Sequence, residues 1–158
     1  MFMTQVELFF EAIRAKDHDT LKTLLAINPE LVITKDSRGF TPLIFATYFD
    51  NEIATKVLIE HKAVIDAKDG TGNTALIGVC FKGNETLVRL LIDNGAHINA
   101  QNNLGTTPLI FATMYNKRTS VILLLEKGAD KTITDNEGKT ALDYASEKGF
   151  DEIVGLLE

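Results

Sequence analysis

Asp69-Gly-Thr-Gly-Asn-Thr-Ala75 carries the pattern Gly-x-Gly-x-x-Ala between an apolar stretch and a predicted helix. That is the spacing with which a dinucleotide-binding turn approaches a pyrophosphate. Cys80 is the single thiol and the one side chain that could act as a strong nucleophile, which would need a base beside it. The three histidines do not supply one: His18 falls in an inter-helix loop, His61 at a helix end and His97 in an extended arm. Cys80 therefore reads as a small, buried apolar residue. No grouping of His, Cys and carboxylates has the spacing of a metal site. Asp66, Asp69, Asp130 and Asp135 are acids that could move protons, but they sit in turns, where aspartate bonds its own backbone.

The dinucleotide reading fails against the rest of the chain. Gly39-Phe-Thr-Pro-Leu-Ile-Phe-Ala-Thr-Tyr-Phe49 returns as Gly105-Thr-Thr-Pro-Leu-Ile-Phe-Ala-Thr-Met-Tyr115, and Gly72-Asn-Thr-Ala-Leu and Gly138-Lys-Thr-Ala-Leu repeat its opening. The glycines at 39, 72, 105 and 138 stand 33 residues apart each time. A fixed period of that size marks a stacked array. The stretches equivalent to 69–75, Ser37-Arg-Gly-Phe and Asn103-Leu-Gly-Thr, keep only the second glycine, so a repeated turn accounts for it without a cofactor.

Composition narrows the partners. The 158 residues suit one domain, and 45% hydrophobic residues suffice for a core. A net charge of −6, with no basic run, argues against nucleic acid and anionic membranes. No apolar segment is long enough to span a bilayer. The start, with Glu7 and Glu11 and no basic residues, reads as a helix rather than a signal peptide. A lone cysteine fits a reducing compartment, so an intracellular, cytoplasmic location is expected. In that setting the acceptor pattern Asn84-Glu-Thr86 is a chance match.

The elements that must position these residues follow from the period. Residues 5–35 lack the repeated turn and carry two apolar faces, Val6, Phe9, Phe10, Ile13 and then Leu21, Leu24, Leu25, so they read as an N-terminal capping pair of helices. Units 36–68, 69–101 and 102–134 each comprise a turn, a short inner helix, an outer helix and an extended arm. Thr41, Thr74 and Thr107 are the expected helix N-caps, with Pro42 and Pro108 just inside. Ile44, Ile77 and Ile110 share one register that Asp143 occupies in the final unit, 135–158. A polar last unit is what the end of a stack needs, because its outer face meets water. Asp50, Glu52, Glu60, Glu85, Asp93 and Glu126, interleaved with Lys56, Arg89 and Lys127, read as the solvated face of the outer helices.

Gly-x-Thr-Pro-Leu, Leu-Leu and Gly-Ala-Asp recurring at this step resemble the ankyrin repeat family over residues 5–158, as three full repeats between two caps. The resemblance implies an all-α solenoid of stacked helix-turn-helix units with β-hairpin-like loops projecting from it. It implies a non-catalytic module that binds another protein through the groove between inner helices and loop fingers. The family usually places His after Pro-Leu to tie neighbouring loops together. Ile stands there in this chain, so apolar packing is expected to replace that network.

The variable positions are the candidates for partner contact. They are Arg38, Phe40, Thr71, Asn73, Leu104, Thr106 and Lys139 in the turns, and Tyr48, Phe49, Phe81, Lys82, Met114 and Tyr115 at the ends of the inner helices. Aromatics, Met and Arg are the types enriched at interface centres. Their exposure decides between a contact surface and rings tucked between repeats. A monomer in isolation is expected; a structural, self-associating role is the alternative, and an enzyme has no supporting constellation.

Overall fold

The computed structural model describes residues 1–158. Ten α-helices account for its regular structure together with one 3₁₀ turn: α1 (Gln5–Ala15), α2 (His18–Ile27), the 3₁₀ turn (Pro29–Ile33), α3 (Pro42–Tyr48), α4 (Glu52–Glu60), α5 (Ala75–Lys82), α6 (Glu85–Asp93), α7 (Pro108–Met114), α8 (Arg118–Glu126), α9 (Ala141–Lys148) and α10 (Asp151–Leu157). These helices are too short to be stable alone, so tertiary packing and end-capping must hold them. The hydroxyls of Thr41, Thr74, Thr107 and Thr140 accept from the amides three residues on, at 3.2, 3.3, 3.2 and 3.2 Å. Each such cap is worth about 1 kcal/mol. The inner helices turn into the outer ones through left-handed residues, including Asp50 (φ 51°), Gly83 (φ 77°), Asn116 (φ 55°) and Gly149 (φ 69°).

The inner helices α1, α3, α5, α7 and α9 stack in a row, and the outer helices α2, α4, α6, α8 and α10 form a second row behind it. One continuous cluster of 35 buried hydrophobic residues runs through both rows, from Phe9 to Leu157. Ile44, Ile77 and Ile110 are all buried. Asp143, in the same register, is exposed and accepts from the Thr140 amide at 2.8 Å, completing the capping box of α9.

Three local expectations need correction. His18 is not in a loop: it opens α2 behind the Asp17 cap, and its Nε2 lies 3.0 Å from Asn51 Oδ1. The chain beyond α2, which does end at Asn28, adds the 3₁₀ turn that buries Leu31 and Val32 under α2 and α3. The arms at 64–68 and 96–100 are not fully extended. Each is bent by a turn, Ala67 N–H to Val64 O (3.2 Å) and Ala100 N–H to His97 O (3.1 Å). Finally, polar bonds between repeats coexist with the apolar packing. Asn51 Nδ2 donates to Ile13 O at 2.9 Å, the His97 amide to Asp66 Oδ1 at 2.9 Å, and the Asp130 amide to Asn99 Oδ1 at 2.9 Å.

Candidate functional site

Each finger is built on one side chain. Asp36, Asp69, Asn102 and Asp135 use Oδ1 to accept from the amides two and four residues ahead, all within 2.8–3.1 Å. A backbone bond to the carbonyl four residues on closes each turn, and Gly39, Gly72, Gly105 and Gly138 take its positive φ. This assigns the Gly-x-Gly pattern. A Cβ at Gly72 would stand 2.7 Å from the Asn103 amide, so the next finger fills the place a phosphate would need.

The fingers are zipped to one another, but not uniformly. The Asn103 amide donates to Thr71 O and the Asn136 amide to Leu104 O, each at 3.0 Å. The two asparagine side chains reinforce these seams by donating to Gly70 O (3.3 Å) and Asn103 O (2.9 Å). Asn102 Nδ2 also donates to Asn73 Oδ1 at 2.9 Å. Between the fingers at 36–40 and 69–73 neither bond forms. Gly70 occupies the asparagine position there, and its amide does not reach Arg38 O. The seam is open at that one boundary.

A cavity of about 340 Å³ lies at the open seam, between the fingers and the inner helices. Phe40, Ile44 and Tyr48 line one side, and Phe81, Phe111 and Tyr115 the other. The Phe81 and Tyr115 rings meet edge to face with centroids 4.4 Å apart, and Phe111 lies 5.8 and 5.3 Å from them. Tyr48 is 62% exposed, Phe81 42% and Tyr115 46%. Phe40, Phe49 and Met114 are half-buried, and Phe49 packs 4.8 Å from Phe45 rather than facing the cavity. Leu104 stands out on its finger at 69% exposure, whereas Thr106 is only 5% exposed and does not present a contact surface. Thr71 and Asn73 line the cavity mouth. Sequence reasoning missed Phe111 and Gly78, which also line it; comparing positions 45, 78, 111 and 144 would have exposed both.

The charges around the cleft are tied to the fold. Lys82 donates to Asp50 Oδ2 at 2.8 Å and to the Tyr48 carbonyl, with its Nζ 5.2 Å from the Tyr48 ring centroid. Arg38 pairs with Asp36 at 3.0 Å and lies 4.8 Å from the Phe40 ring centroid. Lys139 lies outside the cleft, on the finger of the last unit, where it pairs with Glu147 at 3.0 Å. Burial alone would raise the carboxyls of Asp36 and Asp50. It is outweighed at Asp36 by the Phe40 amide and the Arg38 guanidinium and amide, and at Asp50 by Lys82 and Asn84, so both titrate below the usual carboxylate value. Cys80 is fully buried and burial pushes its thiol up, so it stays protonated. No three His, Cys, Asp or Glu side chains converge as metal ligands would, and no helix is long and apolar enough to cross a membrane.

A comparison with curated proteins returns no match. The family model for ankyrin repeats (3 copies) matches residues 9–102 and 78–158, which together span nearly the whole chain. Members of that family are in general protein–protein interaction modules and typically non-catalytic. With capped helix pairs stacked in two rows and fingers recurring every 33 residues, the chain belongs to the ankyrin repeat family.

Proposed function

We propose that residues 1–158 act as one non-catalytic binding domain whose partner, another protein, docks across the fingers and inner helices of the middle units. The observation that carries the reading is the exposed cluster of Tyr48, Phe81 and Tyr115 around an apolar cleft. Contiguous exposed apolar surface rimmed by polar groups marks interaction sites. Arg38, Phe40, Thr71, Asn73, Lys82, Leu104 and Met114 form the surround, with Phe49 and Thr106 acting from beneath and Lys139 extending the surface onto the last finger. The aromatic rings are held by edge-to-face contacts and the lysine and arginine by ion pairs, so little rotamer freedom is left to lose on binding.

The test is quantitative affinity capture with wild type and a Tyr48→Ala, Phe81→Ala, Tyr115→Ala variant, with thermal unfolding to confirm that both are folded. Specific partners bound by wild type are expected to be lost from the variant. Equal retention by both proteins overturns the reading. Sedimentation velocity over a concentration series separates the structural alternative: a mass that rises with concentration, and does so less in the variant, makes a second copy of this chain the occupant.

A further inference from the structure

The inner helices carry an aromatic ring at one register position in three units: Phe45 in α3, Phe111 in α7 and Tyr144 in α9. In α5 the position is Gly78. A Cβ added there would meet nothing within 4 Å, so the neighbours have not closed over the missing side chain. The cavity of about 340 Å³ lies over it. A dry apolar cavity of roughly 150 Å³ holds a benzene ring, so this one takes a ring together with part of the chain that carries it.

The last unit shows what fits such a place. There the Tyr144 hydroxyl donates to Oδ2 of Asp135, the finger acid of the same unit. Asp69 and Gly78 have the same separation along the chain as Asp135 and Tyr144, and both line the cavity. Asp69 engages only Oδ1, accepting from the Thr71 amide (2.8 Å), the Thr71 hydroxyl (2.7 Å) and the Asn73 amide (3.0 Å). Its Oδ2 accepts no bond from the chain. The corresponding oxygen of Asp36 is taken by Arg38 at 3.0–3.1 Å, and the Asn102 amide group donates to Asn73. The third unit thus lacks both a ring and a donor, at the two points where the fifth unit supplies them from one tyrosine.

Building on the groove reading, we infer that the cavity is a subsite for a tyrosine side chain of the partner, its ring over Gly78 among Phe81, Phe111 and Tyr48 and its hydroxyl donating to Asp69 Oδ2. The recognition copies the Tyr144–Asp135 contact across the interface. Gly70 stands where the later units carry asparagine, and the finger seam next to the cavity lacks its bond there.

The probes are N-acetyl-tyrosinamide and N-acetyl-phenylalaninamide, titrated into the full chain and followed by amide chemical shifts. Wild type is expected to bind the tyrosine amide about tenfold more tightly, the preference expected of a hydrogen bond to a charged acceptor that is partly screened. In Asp69→Asn the preference should shrink severalfold, because a neutral amide replaces the charged acceptor, with the turn intact as Asn102 holds the same turn through Oδ1. Gly78→Phe should abolish binding of both amides while melting no lower than wild type, since glycine inside a helix costs about 1 kcal/mol. Equal affinity for the two amides, indifference to Asp69, or undiminished binding to Gly78→Phe overturns the inference. The groove reading fails separately. Partner capture that survives Gly78→Phe but not the triple alanine variant removes the tyrosine subsite and leaves the groove in place.

Discussion

Lys82 reaches back across a repeat boundary to Asp50, 2.8 Å away, and Asn84 bonds the other oxygen of the same carboxylate at 2.8 Å. This is the boundary at which the fingers are not bonded to each other; the arms still tie it through the His97 amide to Asp66 and Lys68 to the Gln101 carbonyl, and the Asp50 cluster ties the other end of the helices. Asp50 titrates below its ordinary value in the folded chain. Its contribution to stability is therefore present above the unfolded value of about 3.9 and is lost as pH falls through the folded one. Asp50→Asn keeps the left-handed backbone, which Asn116 adopts at the same register (φ 55°). The expected result is an unfolding free energy, read from urea denaturation, lowered by about 0.5–1 kcal/mol near neutral pH, in keeping with a partly exposed pair. That gap should close as pH falls below the unfolded carboxylate value and through the lower folded one. A gap independent of pH would mean that the carboxylate charge contributes nothing.

The finger glycines predict unequal costs for one substitution. All four have positive φ, so alanine should cost about 1–2 kcal/mol at each. At Gly39 and Gly138 nothing lies within 4 Å of a new Cβ. At Gly72 and Gly105 it would stand 2.7 and 2.9 Å from the amides of Asn103 and Asn136, which must then move and release the seam. Gly72→Ala and Gly105→Ala should cost about 3 kcal/mol, with roughly 1 kcal/mol of that per broken hydrogen bond. Chemical denaturation of the four variants checks this, and four equal costs would refute a role for the seams in stability.

Lys62 holds φ 67° at the end of α4, where the next two units have Gly95 (φ 94°) and Gly128 (φ 89°). The left-handed conformation costs a lysine about 1–2 kcal/mol. Glycine removes that cost but gains entropy in the unfolded chain. Lys62→Gly should therefore stabilise by about 0.5 kcal/mol, read as a small rise in melting temperature. Asn116→Gly should be close to neutral, because asparagine tolerates the conformation.

Much of the molecule was legible because it is said several times. Thr41, Pro42 and Gly39 recur with their spacing, and local chemistry alone assigns cap, first turn and finger. The burial of Ile44, Ile77 and Ile110 and the polar switch at Asp143 followed from the same register. Other features left no such trace. His18 enters α2 because Asp17 rather than a loop caps it, and the arms bend because a carbonyl three residues back is within reach of Ala67 and Ala100. Thr106 looked like a variable contact residue, yet the turn draws it inward to 5% exposure.

By itself the sequence determined the repeat, its period, the helix pairs and the family, since these rest on contacts between residues close in the chain or one period apart. Only the tertiary structure decided where the array is imperfect. Gly70 and Gly78 lie eight residues apart and read as ordinary glycines in a row. In three dimensions one leaves a finger seam unbonded, and the other leaves the wall of the neighbouring cavity without a ring. A cavity is a property of what neighbouring units fail to fill, so it becomes visible only once those units are stacked.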